Sequence, residues 1–167
     1  EAGVPQCVTV NLSGRTMSDV VAASDIAEIL APSQGRISIE ITEHVLVDNG
    51  PTVRRAIDRF HEVGSKVYVD DFGCGYSSLS YLHDFDVDTV KIDRSFVLAL
   101  DSTKGQKVLE GIFRFTDVLG LAVVVEGVET REQLDTVIAL IPERTRDVGI
   151  QGWYFAKAMS ADDFIRF

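Results

Sequence analysis

The stretch "KVYVDDFGCGYSSLSYL" spans residues 66–82, and the fold turns on how it is read. A short Val-rich run ends in two adjacent aspartates, Asp70 and Asp71. A glycine-rich turn and several hydroxyl residues follow at once. Neighbouring carboxylates repel each other unless a cation lies between or beside them. A strand that closes on such a pair marks either a chain leaving the core or a place for positive charge.

Five further apolar runs share the pattern on either side: "CVTVN" (7–11), "RISIEI" (36–41), "TVKID" (89–93), "LAVVVE" (121–126) and "DVGIQ" (147–151). Val and Ile dominate them, as expected of parallel strands buried on both faces. Helical patterns lie between, over 18–31, 51–63, 104–119 and 130–141, with a shorter one at 94–100. "APSQGR" and "EVGSK" carry the glycine that closes helices. Pro51 suits a first helical turn. Thr130, followed by Glu132 and Gln133, marks a helix start without a strict capping box. Strand, helix, strand, repeated, predicts an α/β chain with a parallel sheet. Length and unit count alone favour a doubly wound open sheet, because an eight-stranded barrel needs eight units and about 250 residues.

The strand ends point the other way. Asn11 ends the first run, Glu40 lies near the end of the second, and Asp70 and Asp71 end the third. Lys91 lies in the fourth, Glu126 ends the fifth and Gln151 ends the sixth. In a barrel these ends converge on one face, where active sites sit; in an open sheet they spread along an edge. Any one of them has a plain explanation, since a chain turns polar as it leaves the core. Recurrence at every run favours the barrel. Asn11, Glu40, Asp70, Asp71 and Glu126 offer hard oxygen donors, which suit Mg2+ or Mn2+ and not zinc. Asp70 and Asp71 then hold divalent ions, one of them bridging two metals about 3.5–4 Å apart. Lys91 has two readings: an ion pair that makes its burial tolerable, or a cation facing a phosphate or a nucleophilic water. His44, His61 and His83 have no metal-type spacing and read as surface or packing residues.

Composition narrows the function. The chain has 167 residues, 46% of them apolar, which suits one globular domain. A net charge of -10 argues against DNA or RNA polymers as partners. An acidic chain that handles phosphates needs cations to offset the repulsion. Cys7 and Cys74 form no disulfide framework, which points to the reducing cytoplasm. No apolar run reaches 18 residues, so no transmembrane helix is expected. The opening "EAGVPQCVTV" does not read as a signal peptide.

Taken together, "VTVNLSGR" (8–15), "IEITE" (39–43), "DDFGCGYSSLSYL" (70–82), "VKIDRSFV" (90–97), "VVVEGVET" (123–130) and "QGWYFAKAM" (151–159) resemble the bacterial EAL domain. That family comprises cyclic di-GMP-specific phosphodiesterases. The motifs occur in family order and span nearly the whole chain. The resemblance implies a (β/α)8 TIM-like barrel that linearises cyclic di-GMP to pGpG in second-messenger signalling, using Mg2+ or Mn2+. It implies that Asn11, Glu40, Asp70, Asp71 and Glu126 surround the metals and that Lys91 lies by the attacking water. Glu126 is also the candidate base, Gln151 belongs to the same site, and Glu43 anchors the loop after Asp71. The resemblance ties that loop to homodimer formation. It also implies fusion to sensory or GGDEF-type domains in the parent protein, with membrane anchoring of that parent as one option. Trp153 reads either as a flank for guanine or as packing.

Three departures qualify the resemblance. The Glu-Ala-Leu signature that precedes the Asn-x-Ser motif in the family, along with a substrate-contacting arginine, has no counterpart before Asn11. Cys74 stands where the family has Thr, and Ala158 where it has Pro. Residues 1–167 are therefore expected to form a partial EAL domain of about six units, N-terminally truncated and lacking its first strand–helix region. Such a domain would have two open strand edges, weaker binding of metal and dinucleotide, and a tendency to associate. The alternative function is a catalytically impaired EAL-type receptor for cyclic di-GMP, or a protein-interaction domain.

Overall fold

A computed structural model describes residues 7–48, 50–74, 82–143, 145 and 147–166. Six strands form one sheet: β1 (Val8–Asn11), β2 (Ile37–Thr42), β3 (Val67–Phe72), β4 (Thr89–Ile92), β5 (Ala122–Val125) and β6 (Val148–Ile150). All five pairings are parallel, and the strands lie side by side in chain order. A doubly wound sheet reverses its strand order at a switch point. Here every crossover carries the chain one strand further in the same direction, as in a barrel. The six units curl into part of such a barrel, with β1 and β6 as its outer strands.

The strands are not apolar on both faces, contrary to the expectation from their Val and Ile content. Side chains alternate along a strand. One set, including Ile39, Ile41, Val67, Val69, Val90, Ile92, Val123 and Val125, is buried in the core beneath the helices. The alternate positions in β2 to β4 carry Ser38, Glu40, Asp70, Thr89 and Lys91. The barrel interior is therefore partly polar, and the apolar core lies between sheet and helices.

The helices are α1 (Gly14–Met17), α2 (Val20–Leu30), α3 (Glu43–Asp48), α4 (Gly50–Glu62), α5 (Arg94–Leu98), α6 (Thr103–Leu119), α7 (Arg131–Leu140) and α8 (Ala161–Arg166). Of these, α1, α3 and α8 escape the periodicity reading because each is only four to six residues long. Side-chain oxygens start the longer ones. Asp19 accepts from Val21 N and Ala22 N at α2, and Ser102 Oγ accepts from Gly105 N at α6. At α7 the capping box is strict after all. Gln133 N donates to Thr130 Oγ1 at 3.2 Å, and Thr130 N donates to Gln133 Oε1 at 3.1 Å. Phe60 of α4 and Leu109 and Phe113 of α6 are wholly buried against the sheet. His61 ties α4 to the approach to β4 through Asp88, at 2.9 Å, which fits its reading as a packing residue. Among the described residues no helix is long and apolar enough to cross a membrane.

Candidate active site

The fold carries its polar strand residues to one end of the sheet. In the register Asn11 stands beside Glu40, Thr42 beside Asp70, and Lys91 beside Val124. Glu126 and Gln151 follow the last residues of β5 and β6. At the centre is the Lys91 ammonium. It lies 3.0 Å from Glu40 Oε2, 2.9 Å from Asp70 Oδ1 and 2.7 Å from Glu126 Oε1. Gln151 Nε2 donates to the same Glu126 oxygen at 2.7 Å. Five of the residues singled out in the sequence thus form one connected cluster. Asn11 and Asp71 sit at the same strand ends, but neither bonds to Lys91.

A local irregularity separates the roles of the two aspartates. Val69 pairs with Val90 and Phe72 with Ile92, so β3 advances three residues while β4 advances two. The extra residue makes a bulge, a device that re-aims side chains beside active sites. Asp71 takes φ of 54°, the left-handed region that Asp tolerates better than most residues. Asp70 reaches Lys91, while Asp71 stays exposed. Just beyond, Gly73 N donates to Glu43 Oε2 at 3.4 Å, a long bond that links the start of α3 to the turn. Residues 75–81, which hold most of the loop that the resemblance ties to dimer formation, lie outside the described residues.

The electrostatics follow from burial. Lys91 and Glu40 are each 6% exposed. Burial alone would lower the Lys91 pKa, but hydrogen bonds to Glu126, Asp70 and Glu40 outweigh it and hold it well above the usual lysine value. Lys91 is therefore a permanent cation. Burial pushes the Glu126 pKa up, the Lys91 hydrogen bond pulls it down, and repulsion from Asp70 and Glu40 adds to the rise; the net direction is upward. Both readings of Lys91 bear on this geometry. The ion pair is present, and it joins three carboxylates instead of one.

Three carboxylates around one ammonium leave surplus negative charge in a largely buried place, and the raised Glu126 pKa reflects it. Among the described residues no ready-made cage of three His, Cys, Asp or Glu ligands exists, and the Lys91 ammonium lies between the three carboxylates. The donor chemistry nonetheless fits a hard divalent cation. The cluster offers carboxylate and amide oxygens, with no imidazole or thiolate among them. Cys74 lies nearby, with Sγ 3.8 Å from Ser95 Oγ. Burial and the neighbouring Asp93 push its thiol pKa up, so it is a poor nucleophile.

An open cleft of about 390 Å3 adjoins the cluster, lined by Glu126, Gln151, Trp153, Arg94 and Glu129 among others. Trp153 is 59% exposed, and Lys157 Nζ lies 4.9 Å from its ring centre. Arg94 and Glu129 were not singled out by the strand-end pattern. Their signal was present in the sequence: each follows a cluster residue, Lys91 or Glu126, by three positions. A larger hollow of about 660 Å3 includes Pro51, Arg54 and Phe85, and none of the cluster residues lines it.

Comparison with known proteins adds to this picture. The model of the EAL domain matches residues 2–158. The chain is 37% identical over 171 residues to a protein of Escherichia coli K12 named "Probable cyclic di-GMP phosphodiesterase PdeB", covering 96% of this chain and 30% of that protein. The solved EAL domain of Mycobacterium smegmatis DcpA superposes with a TM-score of 0.84 at 31% identity, over 95% of this chain and 70% of that one. The EAL enzyme Bd1971, in a form bound to cAMP and cyclic di-GMP, superposes with a TM-score of 0.85 at 26% identity, over 96% and 42%. The chain thus spans less than a third of the length of PdeB.

Proposed function

The chain belongs to the EAL domain family, and from that premise we propose that it hydrolyses cyclic di-GMP to linear pGpG with the help of Mg2+ or Mn2+. The observation that carries this reading is the Lys91 ammonium held by Glu40, Asp70 and Glu126 at the ends of parallel strands, beside a cleft of nucleotide size. The relative PdeB is named a probable cyclic di-GMP phosphodiesterase, which supports the substrate of this reading.

Glu40, Asp70, Asp71, Glu126 and Asn11 would hold the cations. When bound, such cations polarise a phosphoryl oxygen and lower the pKa of a coordinated water. The remaining chemistry falls to the side chains. Glu126, with its raised pKa, accepts the proton of the attacking water. Gln151 holds the Glu126 carboxylate in direction through its amide. Lys91, a permanent cation, stabilises negative charge as it grows on the phosphoryl oxygens. Water adds to phosphorus, the bond from phosphorus to the leaving 3′ oxygen breaks, and that oxygen takes up a proton. A 5′-phosphorylated dinucleotide remains.

The test is to incubate the purified protein with cyclic di-GMP and Mn2+ or Mg2+ and to separate the products by chromatography. Formation of pGpG that stops on chelation supports the reading. Tight binding of cyclic di-GMP with no pGpG would replace it with the receptor alternative.

A further inference from the structure

We propose that Arg94 is a positioning residue that aims Glu126 into the cluster without touching the reacting atoms. The inference rests on the function proposed above and assigns a role in it to a side chain outside the acidic set.

Arg94 is the first residue of α5, three places after Lys91. Asp93 accepts from Ser95 N at 2.8 Å and fixes the start of that helix. The aliphatic stem of Arg94 then lies flat on Gly127, the residue directly after Glu126. Gly127 has φ of 73°, and a Cβ there would run into Arg94 Cγ and stand 2.6 Å from Arg94 Cβ. The stem fills the space that a side chain at 127 would need. At its far end the guanidinium Nη2 lies 3.0 Å from Glu129 Oε1. One side chain therefore spans the turn from Glu126 to Glu129, with apolar contact at the near end and an ion pair at the far end.

The same turn is held from two other sides. Gln133 Oε1 accepts from Glu129 N at 2.8 Å, so the capping box of α7 also grips the turn. Gly152 packs against Val128 so closely that a Cβ would collide with its backbone, and Tyr154 N donates to Val128 O at 3.0 Å. Glu126 N itself donates to Ile92 O at 3.0 Å. Of these holds, only Arg94 comes from the helix that directly follows the lysine strand. It couples the positions of Lys91 and Glu126, whose charged groups meet at 2.7 Å. Partners that orient a functional carboxylate typically change metal affinity or activity by about 10–100-fold when lost.

The experiment compares wild type with Arg94→Ala, Arg94→Met, Arg94→Lys and Glu129→Gln. Mn2+ binding by calorimetry, cyclic di-GMP turnover and thermal melting are measured on the same preparations. For Arg94→Ala the expected result is Mn2+ binding weaker by about tenfold and kcat lower by about tenfold, with KM little changed. Arg94→Lys, which keeps stem and charge, should recover most of both. Arg94→Met keeps the stem alone and should fall between. Glu129→Gln should match Arg94→Met, and the double variant should be no worse than either, as coupled partners behave. The proposal is overturned if melting drops while kcat, KM and Mn2+ affinity of the folded variants hold. It is also overturned if KM alone rises, since Arg94 would then contact substrate directly. If Arg94→Ala does not fold, Arg94→Met and Glu129→Gln decide the question. Wild type that binds Mn2+ but makes no pGpG removes the proposed function, and the Mn2+ arm still decides on Arg94. Wild type that neither binds Mn2+ nor turns over overturns both.

Discussion

Replacing Lys91 by Met tests the centre of the site through stability, without any assay of turnover. Met keeps most of the side-chain volume but removes the ammonium from between Glu40, Asp70 and Glu126. All four side chains are largely buried, with Asp70 17% and Glu126 18% exposed and Lys91 and Glu40 less than that. Removing one member of a buried charge network typically costs about 3–5 kcal/mol, because the remaining charges lose their partner. A domain of this size melts about 2–4 °C lower per kcal/mol. The expected loss is therefore about 6–20 °C at neutral pH without divalent ions. The sign with pH follows from linkage. Glu126 already has a raised pKa, and without the ammonium the Lys91 hydrogen bond that pulls it down is gone while repulsion from Asp70 and Glu40 remains. Groups shifted this way favour the folded state at low pH and lose that contribution as pH rises through the folded value. The deficit of Lys91→Met should be greatest at pH 7 and shrink toward pH 4–5. Mn2+ or Mg2+ should restore part of the loss at pH 7, because a cation then replaces the ammonium. Chemical denaturation at pH 7 and pH 4.5, with and without Mn2+, measures all three effects. Equal stability of variant and wild type at pH 7 would refute the reasoning. A deficit that grows on acidification would refute the charge argument in particular.

Two further predictions concern residues around that centre, and a third concerns the packing of α6. Glu126→Gln and Asp70→Asn should each lower cyclic di-GMP turnover by about 10²–10⁴-fold while the fold persists, as loss of a base or ligand does; near-normal rates in both would remove their assigned roles. Cys74→Thr should keep turnover, since burial and Asp93 raise the thiol pKa and leave little thiolate; an inactive but folded variant would show that the thiol matters. Two glycines of α6 should respond in opposite directions to alanine. At Gly111 a Cβ meets nothing within 4 Å, so Gly111→Ala should stabilise by about 0.5–1 kcal/mol. At Gly105 a Cβ would run into the Ala99 carbonyl oxygen, so Gly105→Ala should destabilise by about 1–3 kcal/mol. Denaturant melts of the two variants separate these outcomes.

The strand ends were legible because they obey a simple rule: an apolar run stops where a polar residue closes it. That rule located all six strands to within one or two residues, from "CVTVN" to "DVGIQ". Unit count pointed the wrong way on the choice between barrel and open sheet, since six units fit an open sheet and fall short of the eight of a closed barrel. The choice was legible in the recurrence of polar residues at every strand end, which only convergence explains economically. The interior polarity was harder to see. In "RISIEI" and "TVKID" the Ser, Glu, Thr and Lys alternate with Ile and Val, but the Val-rich run "LAVVVE" hides the same period. Short helices such as α3 were missed because one to two turns cannot establish a 3.6-residue repeat.

The bulge at Asp71 marks the limit of sequence reading in a different way. Two adjacent carboxylates in a regular strand would point to opposite faces, one into the core and one into the barrel. The repulsion argument finds the pair but says nothing of this conflict. The structure resolves it by inserting one residue and giving Asp71 a left-handed φ, so that Asp70 bonds to Lys91 while Asp71 remains in solvent. No pattern of hydrophobicity encodes that choice, because it depends on where β4 lies. The arrangement carries its own cost. The turn keeps an unusual backbone, the interior keeps four charges, and neither adds to packing. Polar interiors and strained backbones persist where something other than stability is served. In this chain both features occur within a few residues of each other, at the end of the sheet where Lys91 and Glu126 meet.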